Sequence, residues 1–254
     1  MKQIFSKKLI VERMNEALAA TPQVFAAWLG GSTATGFEDE LSDTDIVVIC
    51  EDPQIVFSVL EKTLASLATL SFVWKVEESF WKGFSQKFYV LAETPETYYL
   101  DVGVFQSINP QDYQEFFNIE RHGRPIILFD KKGILQTASL APRYEAPKLF
   151  DLAQWQARFE ILYRTFLKES LRGKYIDSFL FYQRLVVLWV QLLRHHQTPQ
   201  KHDFGLRYIY RDFSPERAQE VEALLKANTL EDLQKQAASL RQKAIAFIKD
   251  GENI

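Results

Sequence analysis

A single cysteine, Cys50, stands among the 254 residues, so no disulfide can close within the chain. Its place at the end of Val47-Val48-Ile49-Cys50 reads as a buried strand-end thiol rather than a nucleophile. No apolar run opens the chain: the first eight residues, Met-Lys-Gln-Ile-Phe-Ser-Lys-Lys, lack the core of a secretory signal. The greasiest stretch, Phe179 to Leu193, is 15 residues long and interrupted by Gln183, Arg184 and Gln191, which is short and polar for a bilayer span. A soluble, cytoplasmic protein with no membrane segment is expected. There is no basic excess either: the net charge is −3, so a nucleic-acid partner is not expected. Repeats and low-complexity segments are absent. What remains is ordinary globular composition, 47% hydrophobic and 25% charged, with enough chain for a sizeable core. The charge is uneven. Residues 1–150 hold 14 Lys and Arg against 20 Asp and Glu, and residues 151–254 hold 16 against 13.

Apolar positions at Ile4, Leu9, Ile10, Met14, Ala17 and Leu18 carry a helical period, broken at Thr21-Pro22. Val24 to Leu29 is a short apolar run ending at Gly30-Gly31, as a buried strand would. Ile46 to Ile49 is a second strand, and Pro53 opens a helix over Ile55 to Leu67. Strand-like runs follow at Leu70 to Val76, Lys87 to Leu91 and Tyr98 to Phe105. A short helix around Tyr113 to Glu120 then leads to a last extended segment, Pro125 to Phe129. Beyond about residue 145 the period becomes helical throughout, with breaks at Gly173, Pro199 and Pro215. The fold class is therefore α+β. An N-terminal domain, residues 1–145, has a mixed β-sheet flanked by helices, and an all-α helical bundle, residues 146–254, follows; the boundary is expected in the stretch from Ala141 to Pro147.

One constellation carries chemistry. Gly30-Gly31-Ser32 follows the first strand, and after a ten-residue spacer Asp43-Thr44-Asp45 opens the second. Glycines there let the backbone turn tightly and let a phosphate chain approach without a Cβ in the way. Ser32 offers a hydroxyl, and a helix starting there offers N–H groups to phosphate oxygens. Carboxylates two apart on a strand project from one face, a spacing that suits one or two Mg²⁺ ions. A third should come from a neighbouring strand. Asp101, in Tyr-Tyr-Leu-Asp-Val-Gly-Val-Phe, is a charge in an otherwise apolar strand and needs something positive to offset it; a strand-end salt bridge would be the structural alternative. Lys174, in Arg-Gly-Lys-Tyr, either reaches the phosphates as a point charge or is a solvated lysine at a helix start. The run Lys201 to Tyr208 either lines a pocket or merely connects two helices.

The pattern Gly31, Ser32, spacer, Asp43, Asp45 resembles the nucleotidyltransferase superfamily of DNA polymerase beta. Asp101 suits that family's third carboxylate. Chain length, the helical second half and the segment Arg124 to Asp130 further resemble the bacterial antibiotic (aminoglycoside-type) nucleotidyltransferases. The resemblance implies a Mg²⁺-dependent enzyme that binds ATP or another NTP and moves AMP to a hydroxyl of a small-molecule acceptor, releasing pyrophosphate. It implies metal and catalytic roles for Asp43, Asp45 and Asp101, and nucleotide contacts from Gly31, Ser32 and Lys174. A polycationic aminoglycoside calls for an acidic acceptor cleft, whereas the helical half has a slight basic excess; another metabolite or a protein side chain stays open as acceptor. RNA-terminal transfer is disfavoured by charge. A non-catalytic nucleotide-binding module is the reading from a different class, and the intact carboxylates speak against it. Oligomeric state is not set by the sequence.

Overall fold

The computed structural model describes residues 6–77, 83–136 and 150–251. The chain divides into two compact units, Met1–Glu145 and Ala146–Ile254. The stretch from Ala141 to Pro147, where the boundary is expected, lies outside the described residues, as does Ile4 of the first helix.

In the first unit, helix α1 (Lys7–Ala20) is capped by the Ser6 hydroxyl, which accepts from the Leu9 N–H at 3.3 Å. It buries Ile10, Met14 and Leu18, one residue per turn on a single face. Strand β1 (Val24–Leu29) leads into a short helix α2 (Gly31–Thr35), and β2 (Thr44–Cys50) into α3 (Pro53–Leu67). Asp52 caps α3 by accepting from Gln54 N–H, with Pro53 in the first turn, where its missing N–H costs nothing. Strands β3 (Leu70–Lys75), β4 (Phe84–Leu91), β5 (Leu100–Phe105) and β6 (Ile126–Asp130) complete a six-stranded sheet of order β3-β4-β5-β2-β1-β6. The sheet is mixed: β2 and β5 run parallel and the other neighbours antiparallel.

Its two faces are covered differently. Ile10, Met14 and Leu18 of α1 and Val56, Phe57, Leu60 and Leu64 of α3 share one core with Ala27, Ile46, Val48, Tyr89, Leu91, Val102 and Val104 of the strands. On the other face Ala26, Trp28, Val47, Ile49 and Phe105 meet Tyr113 and Leu135. The cover on this second face is not the single short helix expected over Tyr113 to Glu120. The chain makes 3₁₀ turns at Pro110–Asp112 and Gln114–Phe117, then a helical turn α4 (Ile119–His122). Side chains of Asn109 and Asn118 accept from the N–H of Gln111 and Arg121. Each restarts the backbone with its own cap, so no one helix can run through.

The second unit is helical: α5 (Leu152–Leu171), α6 (Tyr175–Gln197), α7 (Ile209–Asp212), α8 (Pro215–Leu224) and α9 (Leu230–Gly251). Gly173, at φ 74°, makes the turn between α5 and α6. Trp155, Phe159, Phe166, Tyr182, Leu185, Trp189, Leu192, Leu233 and Leu240 are buried together. The Trp155 indole donates to Leu188 O at 2.8 Å, and the Tyr182 hydroxyl donates to Leu224 O at 2.7 Å. At 23 residues α6 is longer than its apolar stretch suggested, and by length and composition alone it could cross a membrane. Here it is the helix around which this unit packs.

Near the end of α6, Arg194 has a fully buried side chain. Its guanidinium donates to Gly205 O at 3.0 Å, to Asp212 at 2.8 Å and to Arg207 O. Asp212, 3% exposed, also receives Lys201 at 2.9 Å and Arg211 at 3.1 Å. Lys201 thus points inward, Leu206 and Tyr208 line a pocket with Ile209, Ala218 and Val221, and the carbonyls of Gly205 and Arg207 turn to one buried arginine. Removing the acid would strand that charge. Asp212→Ala is expected to lower the unfolding free energy by about 3–5 kcal/mol, read from urea denaturation followed by circular dichroism; a loss near zero would show the network to be dispensable.

Candidate active site

At the end of β1 the Gly30 N–H donates to Asp45 O at 3.0 Å, tying the turn to β2. Gly31 adopts φ +54°, and a Cβ built on it would lie 1.6 Å from Asp45 Oδ2. Only glycine fits there, on both counts. The helix that follows, α2, has five residues and ends at Gly36 in a left-handed conformation. So short a helix contributes little dipole, and what it presents are its first N–H groups and the Ser32 hydroxyl. That hydroxyl is buried and has no hydrogen-bond partner among the described residues.

Asp43 stands just before β2, Asp45 is the strand's second residue, and Asp101 is the second residue of β5. In the parallel ladder Asp45 and Asp101 are direct partners, so both carboxylates leave the same face of adjacent strands. Thr44, between the two acids, faces the other way, with its hydroxyl 3.0 Å from that of buried Tyr98. Gln86 Nε2 donates to Asp101 Oδ1 at 2.7 Å. Burial pushes the Asp101 carboxyl up to about 6; the Gln86 bond opposes this and the charge of Asp43 adds to it. The Tyr99 hydroxyl donates to Asp43, and its pKa is raised first by that bond, then by burial, then by the charges of Asp43, Asp45 and Asp101. One phenol therefore feels all three acids.

Among the described residues no three acidic, His or Cys side chains already stand at metal-ligand spacing. Asp45 leans on the Gly31 turn, Gln86 holds Asp101 and Tyr99 holds Asp43. A divalent cation nevertheless fits the residues present. The donors are hard carboxylate oxygens, no cation among the described residues acts on Asp101 to offset its burial, and the turn beside Asp45 has no room for a side chain. The expected residues Gly31, Ser32, Asp43, Asp45 and Asp101 are thus brought together. Lys174 belongs to the helical unit, where its ammonium lies 3.4 Å from Glu169 and its side chain is half exposed; its setting is a surface ion pair. Gln86 and Tyr99 were missed. Tyr99 is two residues before Asp101, the spacing that puts side chains on one face, and that was the available signal; nothing local marks Gln86.

Residues 10–94 match the family model of the nucleotidyltransferase domain. This region is similar to nucleotidyltransferase domains, over about a third of the chain. The match spans Gly31, Ser32, Asp43 and Asp45 and ends before Asp101, which rests on the strand pairing alone. No curated protein matches the chain. Among solved structures, a nucleotidyltransferase-like protein from Exiguobacterium sibiricum 255-15 is 11% identical with a TM-score of 0.36, covering 94% of this chain and 78% of that one. A CCA-adding enzyme in complex with CTP is 12% identical with a TM-score of 0.32, over 97% and 76%. Likenesses this distant carry no functional weight.

A carboxyl whose pKa is raised favours the protonated form in the folded state. Its ionisation therefore costs stability above about pH 6, and the cost fades as the pH falls toward 4. Asp101→Asn should stabilise the metal-free protein at pH 7.5 by roughly 2–3 kcal/mol. The gain should shrink to roughly 1 kcal/mol near pH 4.5 and vanish near pH 3, in melts followed over that range.

Proposed function

We propose that the first unit, residues 1–145, transfers a nucleoside monophosphate, AMP from ATP in the first instance, to a hydroxyl of a small-molecule acceptor and releases pyrophosphate. Antibiotics of the aminoglycoside type are among the candidate acceptors. One observation carries the reading: Asp45 and Asp101 lie in register on the parallel pair β2–β5, beside a glycine turn that a Cβ would block.

Each residue has a task. Gly31 gives the phosphate chain its closest approach to the backbone, and the unpartnered Ser32 hydroxyl donates to a phosphate oxygen. Asp43, Asp45 and Asp101 would hold one or two Mg²⁺ ions. When bound, the metal supplies charge neutralisation at the phosphates and acidifies the acceptor hydroxyl. Asp101 takes the acceptor's proton, at Oδ2, because Gln86 occupies Oδ1. Tyr99 orients Asp43 through its hydroxyl. Positioning and electrostatics then account for most of the rate.

Asp43→Asn and Asp45→Asn should each reduce pyrophosphate release from ATP and Mg²⁺ by at least about a thousandfold while the circular dichroism melt stays that of a folded protein. Turnover retained in both would end the metal assignment. ATP with Mg²⁺ should raise the melting temperature of the unmodified protein, and ATP with EDTA should not. Equal shifts with Mg²⁺ and with EDTA would favour a metal-independent binding module.

A further inference from the structure

The row of residues that contains the carboxylates does not stop at β5. Across the ladder Asp101 pairs with Phe88 of β4, and Phe88 pairs with Trp74 of β3. Residues directly opposite one another share a face, so the sequence Asp45, Asp101, Phe88, Trp74 is one line across four strands. Trp74 stacks on Phe88 with ring centroids 5.2 Å apart and planes 17° from parallel, and Phe88 lies 6.0 Å from the Tyr99 ring. Phe72 joins the same face through its pairing with Val90. These rings are open to solvent: Trp74 is 53% exposed, Phe72 58% and Tyr99 38%. A contiguous exposed aromatic surface marks a binding site more often than an accident of packing.

The sheet order decides which substrate it serves. Gly31 and Ser32 follow β1, on one side of β2, while β5, β4 and β3 lie on the other. In-line displacement at the α-phosphorus places the leaving pyrophosphate and the attacking hydroxyl on opposite sides. With the phosphate chain at the β1 turn, the hydroxyl arrives from the side of Asp101 and the rings.

We infer that Tyr99, Phe88 and Trp74 form the acceptor subsite, and that the acceptor is a hydroxyl compound carrying a planar aromatic ring. This rests on the nucleotidyl-transfer reading of the same carboxylates. Strands are about 4.8 Å apart, so the ring sits one to two strands, about 5–10 Å, from the hydroxyl that reacts. Stacking on exposed rings selects a flat apolar face, which narrows the candidate acceptors named above away from polycationic amino sugars.

The full-length protein, with Mg²⁺ and α,β-methylene-ATP present, is titrated with p-nitrophenyl β-D-glucopyranoside and with methyl β-D-glucopyranoside, which offer the same sugar with and without a ring. Binding at least about tenfold tighter for the nitrophenyl compound is expected, falling to within about twofold in Trp74→Ala and Phe88→Ala. Equal binding of the two glucosides overturns the inference. So does displacement of the nitrophenyl compound by the nucleotide analogue, or a drop in analogue affinity on Trp74→Ala, since either would give the rings to the nucleotide base. A dimer in sedimentation that Trp74→Ala converts to monomer would make the edge at β3 a contact between copies instead. Failure of the transfer reading is seen separately, in the pyrophosphate assay of the Asp43 and Asp45 variants.

Discussion

Carboxylates on neighbouring strands repel one another, and the fold holds Asp45 and Asp101 side by side regardless. The β2–β5 ladder is what does so. Strands on both sides pair with it, and two helices cover one face. A cost shows in Asp101, whose proton is held more tightly than that of an ordinary carboxyl, first because the group is buried and second because Asp43 is near. A packed sheet supplies the order and the acids supply the tension, which positive charge at that spot relieves.

Much of this was legible in the residues. The glycine turn and the Asp-x-Asp pair announced themselves by spacing, and the strands β1 and β2 by their β-branched and apolar runs. Asp101 was legible for a different reason, as a lone charge in an apolar strand. Its partnership with Asp45 was not, because register between strands some fifty residues apart in the chain is decided by tertiary packing. Gln86 was invisible on the same grounds: a glutamine in a strand means nothing until a neighbouring strand brings an aspartate to it. The aromatic line through Phe88 and Trp74 was hidden twice over, since it needs two pairings to assemble. Local composition mispredicted the segment around Tyr113, where two asparagine caps overrule the apolar pattern.

The helical unit shows the complementary case. Lys201 to Tyr208 mixes charge and aromatics in a way that suggests a ligand surface, and two readings stood. Arg194 accounts for the connection, and Leu206 and Tyr208 line a pocket as well. A fully buried guanidinium must be satisfied on every side, and Asp212 with the carbonyls of Gly205 and Arg207 satisfies it. Lys201 is spent on the inside of the fold, whereas Asp203 and Arg207 are exposed. Lys174 pairs with Glu169 in the helical unit.

The pairing of β2 with β5 has an implication for how the chain becomes active. Side chains alternate across a strand, so a slip of one residue would turn Asp45 away from Asp101 and bury it against α1 and α3. The parallel pair closes only after α3, β3 and β4 have been threaded between its members, a long loop for a chain to close. A nascent molecule that joined these strands one residue out would place Asp45 on the face that α1 and α3 cover, away from the Gly31 turn. In this fold the meeting of the two acids and the settling of sheet register are the same event.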